Sequence, residues 1–230
     1  MLIGTAGETA MAQTILNEFE IRVLGALIEK QITTPEYYPL SLNALKNACN
    51  QSSNREPVVA YDESTVEKAL ESLREKKLVW LFRGVDSRVP KYGHIFVEAF
   101  DLKPQEVAAL CVLMLRGPQT VGEIRVRTGR LYNFEGLPEV EATLEGLTQR
   151  EGPPLVVKLP RQAGRKDPRW AHLLSGDVAV EEEVSDFRVE GTAPRSTPER
   201  IQKLEEEVAA LKRSVAELEE QFTVFKRQFE

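Results

Sequence analysis

Two histidines, two cysteines and two clusters of cations are the residues of this chain whose chemistry is worth testing first. His94 sits in Lys91-Tyr92-Gly93-His94-Ile95-Phe96 and His172 in Arg169-Trp170-Ala171-His172-Leu173-Leu174, at matching positions of two similar segments. Imidazoles ligate metals and move protons. Each copy, however, lacks a neighbouring ligand set, and duplication alone explains the shared position, so both read as structural. Cys49 and Cys111 fall inside apolar helical patterns with no Cys-x-x-Cys neighbour. They read as small buried hydrophobes in a reducing compartment. The chain has no Gly-x-Gly-x-x-Gly, phosphate loop, His-Glu-x-x-His or nucleophile elbow,. The expectation is a protein that is not an enzyme and uses no cofactor or metal.

The cations point elsewhere. Arg83, Arg88 and Lys91 flank one turn, and Arg161, Arg165, Lys166 and Arg169 crowd another. Guanidinium groups on a hairpin suit phosphate contact or entry into a minor groove. Asn50-Gln51-Ser52-Ser53-Asn54-Arg55 is a third candidate, because Asn and Gln can read adenine and Arg can read guanine,. The same side chains also hold turns through local backbone bonds. That structural use is the reading for Asn50 and Asn54. Arg55 is the residue expected to make an external contact.

The elements that must carry these residues are written twice. Glu20 to Leu27 recurs as Glu106 to Leu113, and Val66 to Leu73 recurs as Val140 to Leu147. With the two histidine segments, three blocks return in one order, which implies two copies of one small fold. In the first copy, Asn17 and Glu20 form a capping-box pattern before Phe19, Val23, Leu24, Leu27 and Ile28 at helical spacing,. Ser41 caps a short second helix bearing Leu42, Leu45 and Cys49. Asp62 caps a third helix to about Lys77, with Val66, Leu70 and Leu73 inward. Leu78 to Phe82 and Tyr92 to Val97 read as strands around a turn,. The second copy begins with Pro104 inside a helix carrying Val107, Leu110, Val112, Leu113 and Leu115. Thr120 and Glu123 cap its second helix, and Glu139 to Gln149 forms its third. Leu155 to Leu159 and Trp170 to Leu174 form its hairpin.

Three helices closed by a hairpin is the winged helix-turn-helix plan. The fold class is therefore mainly α, an α+β winged helix in two tandem domains. The domains are read as 1–15 disordered, 16–100 and 101–175 winged helices, 176–196 an acidic linker, and 197–230 a coiled coil. A third helix normally enters the major groove while the wing touches the backbone. Here its outward face offers Ser64, Lys68, Ser72 and Glu75 in copy one, and Ala142, Glu145, Gly146 and Gln149 in copy two. Carboxylates facing phosphates repel, so the wings carry the DNA-binding expectation.

Thr33 to Leu45, followed by Asn47 to Val58, resembles the YceH-like family of uncharacterised bacterial proteins. The resemblance spans roughly residues 16 to 175. It implies tandem winged-helix domains and a bacterial source, and it brings no activity with it.

From Ile201 the apolar residues run Ile201, Leu204, Val208, Leu211, Val215, Leu218, Phe222, Phe225 and Phe229, with gaps alternating three and four. That is a heptad pattern. β-Branched residues at one seam position and Leu at the other favour a parallel homodimer. A single helix folded back on its own chain is the alternative. The charge follows the same division. From Ser175 onward, fourteen acidic residues oppose eight basic ones, while residues 1–174 hold twenty-two of each.

A neutral body lacks the basic balance of many nucleic-acid binders. Two readings therefore stand together: a regulator or architectural factor on double-stranded DNA, and a protein-interaction scaffold with protein partners. No apolar run approaches the ~18 residues of a membrane span. Met1 to Ala12 lacks the pattern of a secretion signal,. The expected location is the cytoplasm.

Overall fold

Asn17 starts the fold as a reciprocal cap: its Oδ1 accepts from the Glu20 amide at 2.9 Å, and Glu20 Oε2 accepts from the Asn17 amide at 2.7 Å. The cap opens helix α1, Glu18–Thr33. A 3-10 turn at Pro35–Tyr37 leads into the short strand β1, Leu40–Ser41. Ser41 Oγ then caps α2, Leu42–Cys49, at the Ala44 amide. Asp62 caps α3, Glu63–Glu75, at the Thr65 amide, 2.7 Å away. Strands β2, Val79–Phe82, and β3, Lys91–His94, form the hairpin. Residues 15–83, 89–161 and 167–176 are described in this computed structural model. The N-terminus up to residue 14, the turn residues 84–88 and 162–166, the acidic linker and the heptad residues Ile201 to Phe229 lie outside them.

The return strand is shorter than the sequence suggests. It ends at His94, and Phe96–Ala99 forms the short helix α4 where a strand to Val97 is expected. Burial explains the turn. Phe96 is fully enclosed and meets the Phe100 ring at 4.7 Å between centroids, a contact that a helical turn brings about and a straight strand does not.

The second copy follows the same course through α5, Pro104–Arg116, α6, Val121–Arg127, and α7, Leu137–Gln149. Helix α7 begins two residues before the expected Glu139, with Pro138 in its first turn, where the missing N–H costs nothing,. Its hairpin comprises β4, Val156–Lys158, and β5, Trp170–His172. The described residues are thus mixed, about half of them helical, with two small antiparallel sheets.

The duplication is visible in the sheets. In copy one, β1 pairs with β3 so that Leu40 faces Tyr92, giving the order β1-β3-β2. In copy two, Gln119 and Trp170 exchange both backbone bonds, at 2.9 and 2.7 Å. Leu40 and Gln119 each precede the cap of a second helix, and Tyr92 and Trp170 are matching residues of the repeat. This pairing has no hydrophobic period in sequence, because one or two residues are too few to set one.

Helices α1 and α5 pack on each other between the two copies. Every residue from Glu20 to Glu29 is buried, and so is every residue from Val107 to Leu115. A surface helix buries one stripe. These two bury their whole circumference because each is covered by its own copy on one side and by the other copy's first helix on the other. Phe19 departs from its expected place in the core stripe. It is partly exposed and lies against Tyr61 at 5.2 Å between ring centroids. The body closes where the Leu16 amide donates to the Leu174 carbonyl at 2.8 Å.

Candidate nucleic-acid interface and an arginine-lined cleft

The first hairpin presents Arg83 to solvent at the end of β2, with Lys91 half-buried opposite Phe82. In the second, Arg161 is exposed beyond β4. Arg88, Arg165 and Lys166 fall outside the described residues. Arg169 is half-buried and bonds back to the body of its own copy. Its Nη1 donates to the Pro118 carbonyl at 2.8 Å, and its Nη2 lies 3.6 Å from Glu123 Oε1. The adjoining pairing of Trp170 with Gln119 holds it over the start of α6.

Arg55 corrects the expectation of an external contact. Its side chain is fully buried and its ion-pair partner Glu29 is only 10% exposed, with Nη2 2.6 Å from Glu29 Oε2. Nε and Nη2 also donate to the Ala48 carbonyl, at 3.1 and 2.8 Å. A buried guanidinium needs its charge and its donors matched, and this one has both, so it is no external contact. The surrounding connector is equally internal in its bonding. Asn50 clamps Tyr61 by donating to its carbonyl and accepting from its amide, both at 2.8 Å. Asn54 has a left-handed φ of 59°, and its Oδ1 accepts from Arg116. Arg22 donates to the Pro57 carbonyl at 2.6 Å, tying the far end of the connector to α1.

On the third helices, Lys68 and Glu75 of α3 and Glu145 and Gln149 of α7 do face solvent. The first hairpin also shows a feature that the sequence pattern does not announce. Trp80 and Phe82 stand on one face, 36% and 48% exposed, with rings edge to face at 6.4 Å. Gly93 makes room for them, since a Cβ there would run into the Trp80 indole.

Three further arginines escape a reading of the sequence alone. Arg125, Arg127 and Arg130 follow one another through α6 and the turn after it, and the spacing Arg-x-Arg-x-x-Arg is the signal that could have found them. Arg127 approaches Glu123 Oε1 at 3.5 Å, the same oxygen that Arg169 approaches. Arg127 and Arg130, with Arg116 from α5, line a small open cleft. Glu29 and Asn54 from copy one and Val112 and Leu131 from copy two complete its walls. Burial holds the Arg116 guanidinium below its usual pKa, and the nearby Arg127 and Arg55 charges lower it further, against partial relief from Glu56 and Glu29.

The histidines are enclosed. Burial pushes His94 down to about 4, against a small opposing pull from Glu98, and pushes His172 down to about 4 as well. Tyr38 packs edge-on to His94 and accepts from its backbone amide at 2.7 Å. Neither ring nitrogen of His94 has a hydrogen-bond partner among the described residues. Among the described residues, no group of three His, Cys, Asp or Glu side chains is placed to hold a metal ion. No described helix is long and apolar enough to cross a membrane.

Two copies of a three-helix unit, each closed by a hairpin and joined through their first helices, define a duplicated protein of mixed helix and sheet. Residues 16–165 match the family described as a protein of unknown function, DUF480, and the chain belongs to that family. It is 54% identical over 199 residues to a UPF0502 protein of Opitutus terrae, covering 86% of this chain and 84% of the relative. With a UPF0502 protein of Solibacter usitatus it shares 55% identity over 215 residues, 94% of this chain and 98% of the relative. With one of Pelobacter propionicus it shares 52% over 220 residues, 95% of this chain and all of the relative.

Proposed function

We propose that this chain is a tandem winged-helix protein of the cytoplasm that binds double-stranded DNA through its hairpin cations and dimerises through its C-terminal heptads. One observation carries the reading. In both copies a residue just before the second helix pairs with the return strand of the hairpin, Leu40 with Tyr92 and Gln119 with Trp170. That pairing fixes the hairpin at the side of the helices, where a wing stands. Arg83 and Arg161 at the hairpins suit phosphates, and the acidic groups on α3 and α7 disfavour deep insertion of either helix. No catalytic role enters the reading.

The second reading is a protein-interaction scaffold. The exposed Trp80 and Phe82 favour it, because large aromatic side chains anchor protein interfaces,. Retention of the full chain and of residues 1–175 on random duplex DNA at low salt separates the two. DNA binding requires retention that falls steeply with salt. Passage of both proteins through the column unretained establishes the scaffold reading.

A further inference from the structure

We infer that the cleft between the two copies is a binding site for a small phosphate-bearing molecule, held by Arg116, Arg127 and Arg130. These arginines belong to α5, α6 and the turn after it and not to the hairpins, so the site does not rest on the DNA reading.

The charges at the cleft do not cancel. Glu29 is matched by Arg55, whose Nη1 and Nη2 reach both of its oxygens, at 3.2 and 2.6 Å. Glu123 serves both Arg127 and Arg169, at 3.5 and 3.6 Å, distances longer than a charge-assisted hydrogen bond,. Glu56 acts on Arg116 from nearby. Three guanidinium groups, those of Arg116, Arg127 and Arg130, thus line the cleft beside one carboxylate, Glu29, which Arg55 already pairs. Among the described residues Arg130 makes no hydrogen bond or ion pair.

Like charges gathered at a partly enclosed surface are unfavourable without a counter-ion. A phosphate group supplies two negative charges and several acceptor oxygens. Planar guanidinium forks match those oxygens in pairs. Val112 and Leu115, both buried, close the apolar side of the cleft together with Leu131. The cleft draws on α1 and the connector from copy one and on α5, α6 and the following turn from copy two. A ligand there bridges the two copies and tightens their packing.

The experiment is calorimetric titration of the full chain with inorganic phosphate and with pyrophosphate, at ionic strength matched with sodium chloride. We expect saturable one-to-one binding, tighter for pyrophosphate. Arg130→Gln should weaken it about tenfold, the value of one charge-assisted bond. Because Arg130 is exposed and unbonded, this variant carries no folding penalty. Arg127→Gln combined with Arg130→Gln should abolish binding, while Arg74→Gln, an exposed arginine of α3, should leave it unchanged. Binding no stronger than that of chloride, or equal binding by the double variant, overturns the site. Displacement of pyrophosphate by short duplex DNA also overturns it as a separate site and assigns these arginines to nucleic acid.

Discussion

The thiol of Cys111 donates to the carbonyl of Gly25 at 3.6 Å, and these two residues hold the same position in the two copies. Helices α1 and α5 therefore cross at equivalent points, as they would about a local two-fold axis. Gly25 is what permits the approach. A Cβ on it would stand 3.0 Å from Leu115 Cδ2 and 3.3 Å from Met114 Cβ. Burial pushes both cysteine thiols far up, Cys49 to about 12, so neither is a reactive thiolate,.

Gly25→Val should destabilise the protein by about 1–3 kcal/mol, the cost of overpacking a tight seam. Denaturant unfolding of residues 15–176 checks it. Gly117→Val, where no atom lies within 4 Å of the added Cβ, is the comparison for backbone strain alone. Unchanged stability of Gly25→Val would mean that the helices do not meet at this point.

Arg55→Met should cost about 3–5 kcal/mol, since it strands Glu29 in a buried site. Adding Glu29→Leu should recover much of that loss, because both charges are then gone. If Arg55 met DNA instead, its replacement would lower DNA affinity with stability intact and no rescue.

The histidines set a pH dependence. His94 and His172 hold their protons less tightly folded than unfolded, so protonation favours the unfolded chain,. Stability should be constant above about pH 6.5 and fall progressively towards pH 4. The fall approaches about 3 kcal/mol for His94, the more enclosed of the two. Glu20 adds a second acid-side loss. Burial raises its carboxyl, but the bonds from Lys76, Ser72 and Asn17 outweigh that and hold it below the usual range. Its contribution is present above the ordinary carboxylate pKa and disappears as pH falls through the lowered one. Denaturation midpoints measured from pH 8 to pH 4 test this, and His94→Gln should flatten the part between 6.5 and 4.

The heptad seam makes its own prediction. The full chain should be a dimer by light scattering, and removal of residues 197–230 should give a monomer. Leu211→Asp with Leu218→Asp should do the same by burying charge in the seam. A monomeric full chain at micromolar concentration contradicts the zipper.

The helix starts were legible because capping is local: Asn17, Ser41, Asp62 and Thr120 each bond to an amide three residues on. The duplication was legible because it is written in matching blocks. The seam between the copies was not. All-round burial of α5 gives a continuous apolar run from Val107 to Leu115 whose second partner no periodicity identifies. The fate of Arg55 was hidden for a similar reason. Its partner Glu29 is 26 residues away and reaches it only through tertiary packing. The cleft arginines stood in plain sequence, but only the fold brings Arg116 to Arg127 and Arg130.

The salt dependence of DNA binding bears most directly on the proposed function. Fluorescence anisotropy should be followed on a random duplex from 50 to 300 mM salt, for the full chain and for Arg83→Ala, Arg88→Ala, Arg161→Ala and Arg165→Ala combined. We expect the variant to bind more weakly on every sequence, with a slope flatter by up to about 0.9 for each phosphate no longer neutralised. Equal slopes and affinities for the two proteins, or no binding by the full chain at the lowest salt, would contradict the assignment of the hairpins to DNA.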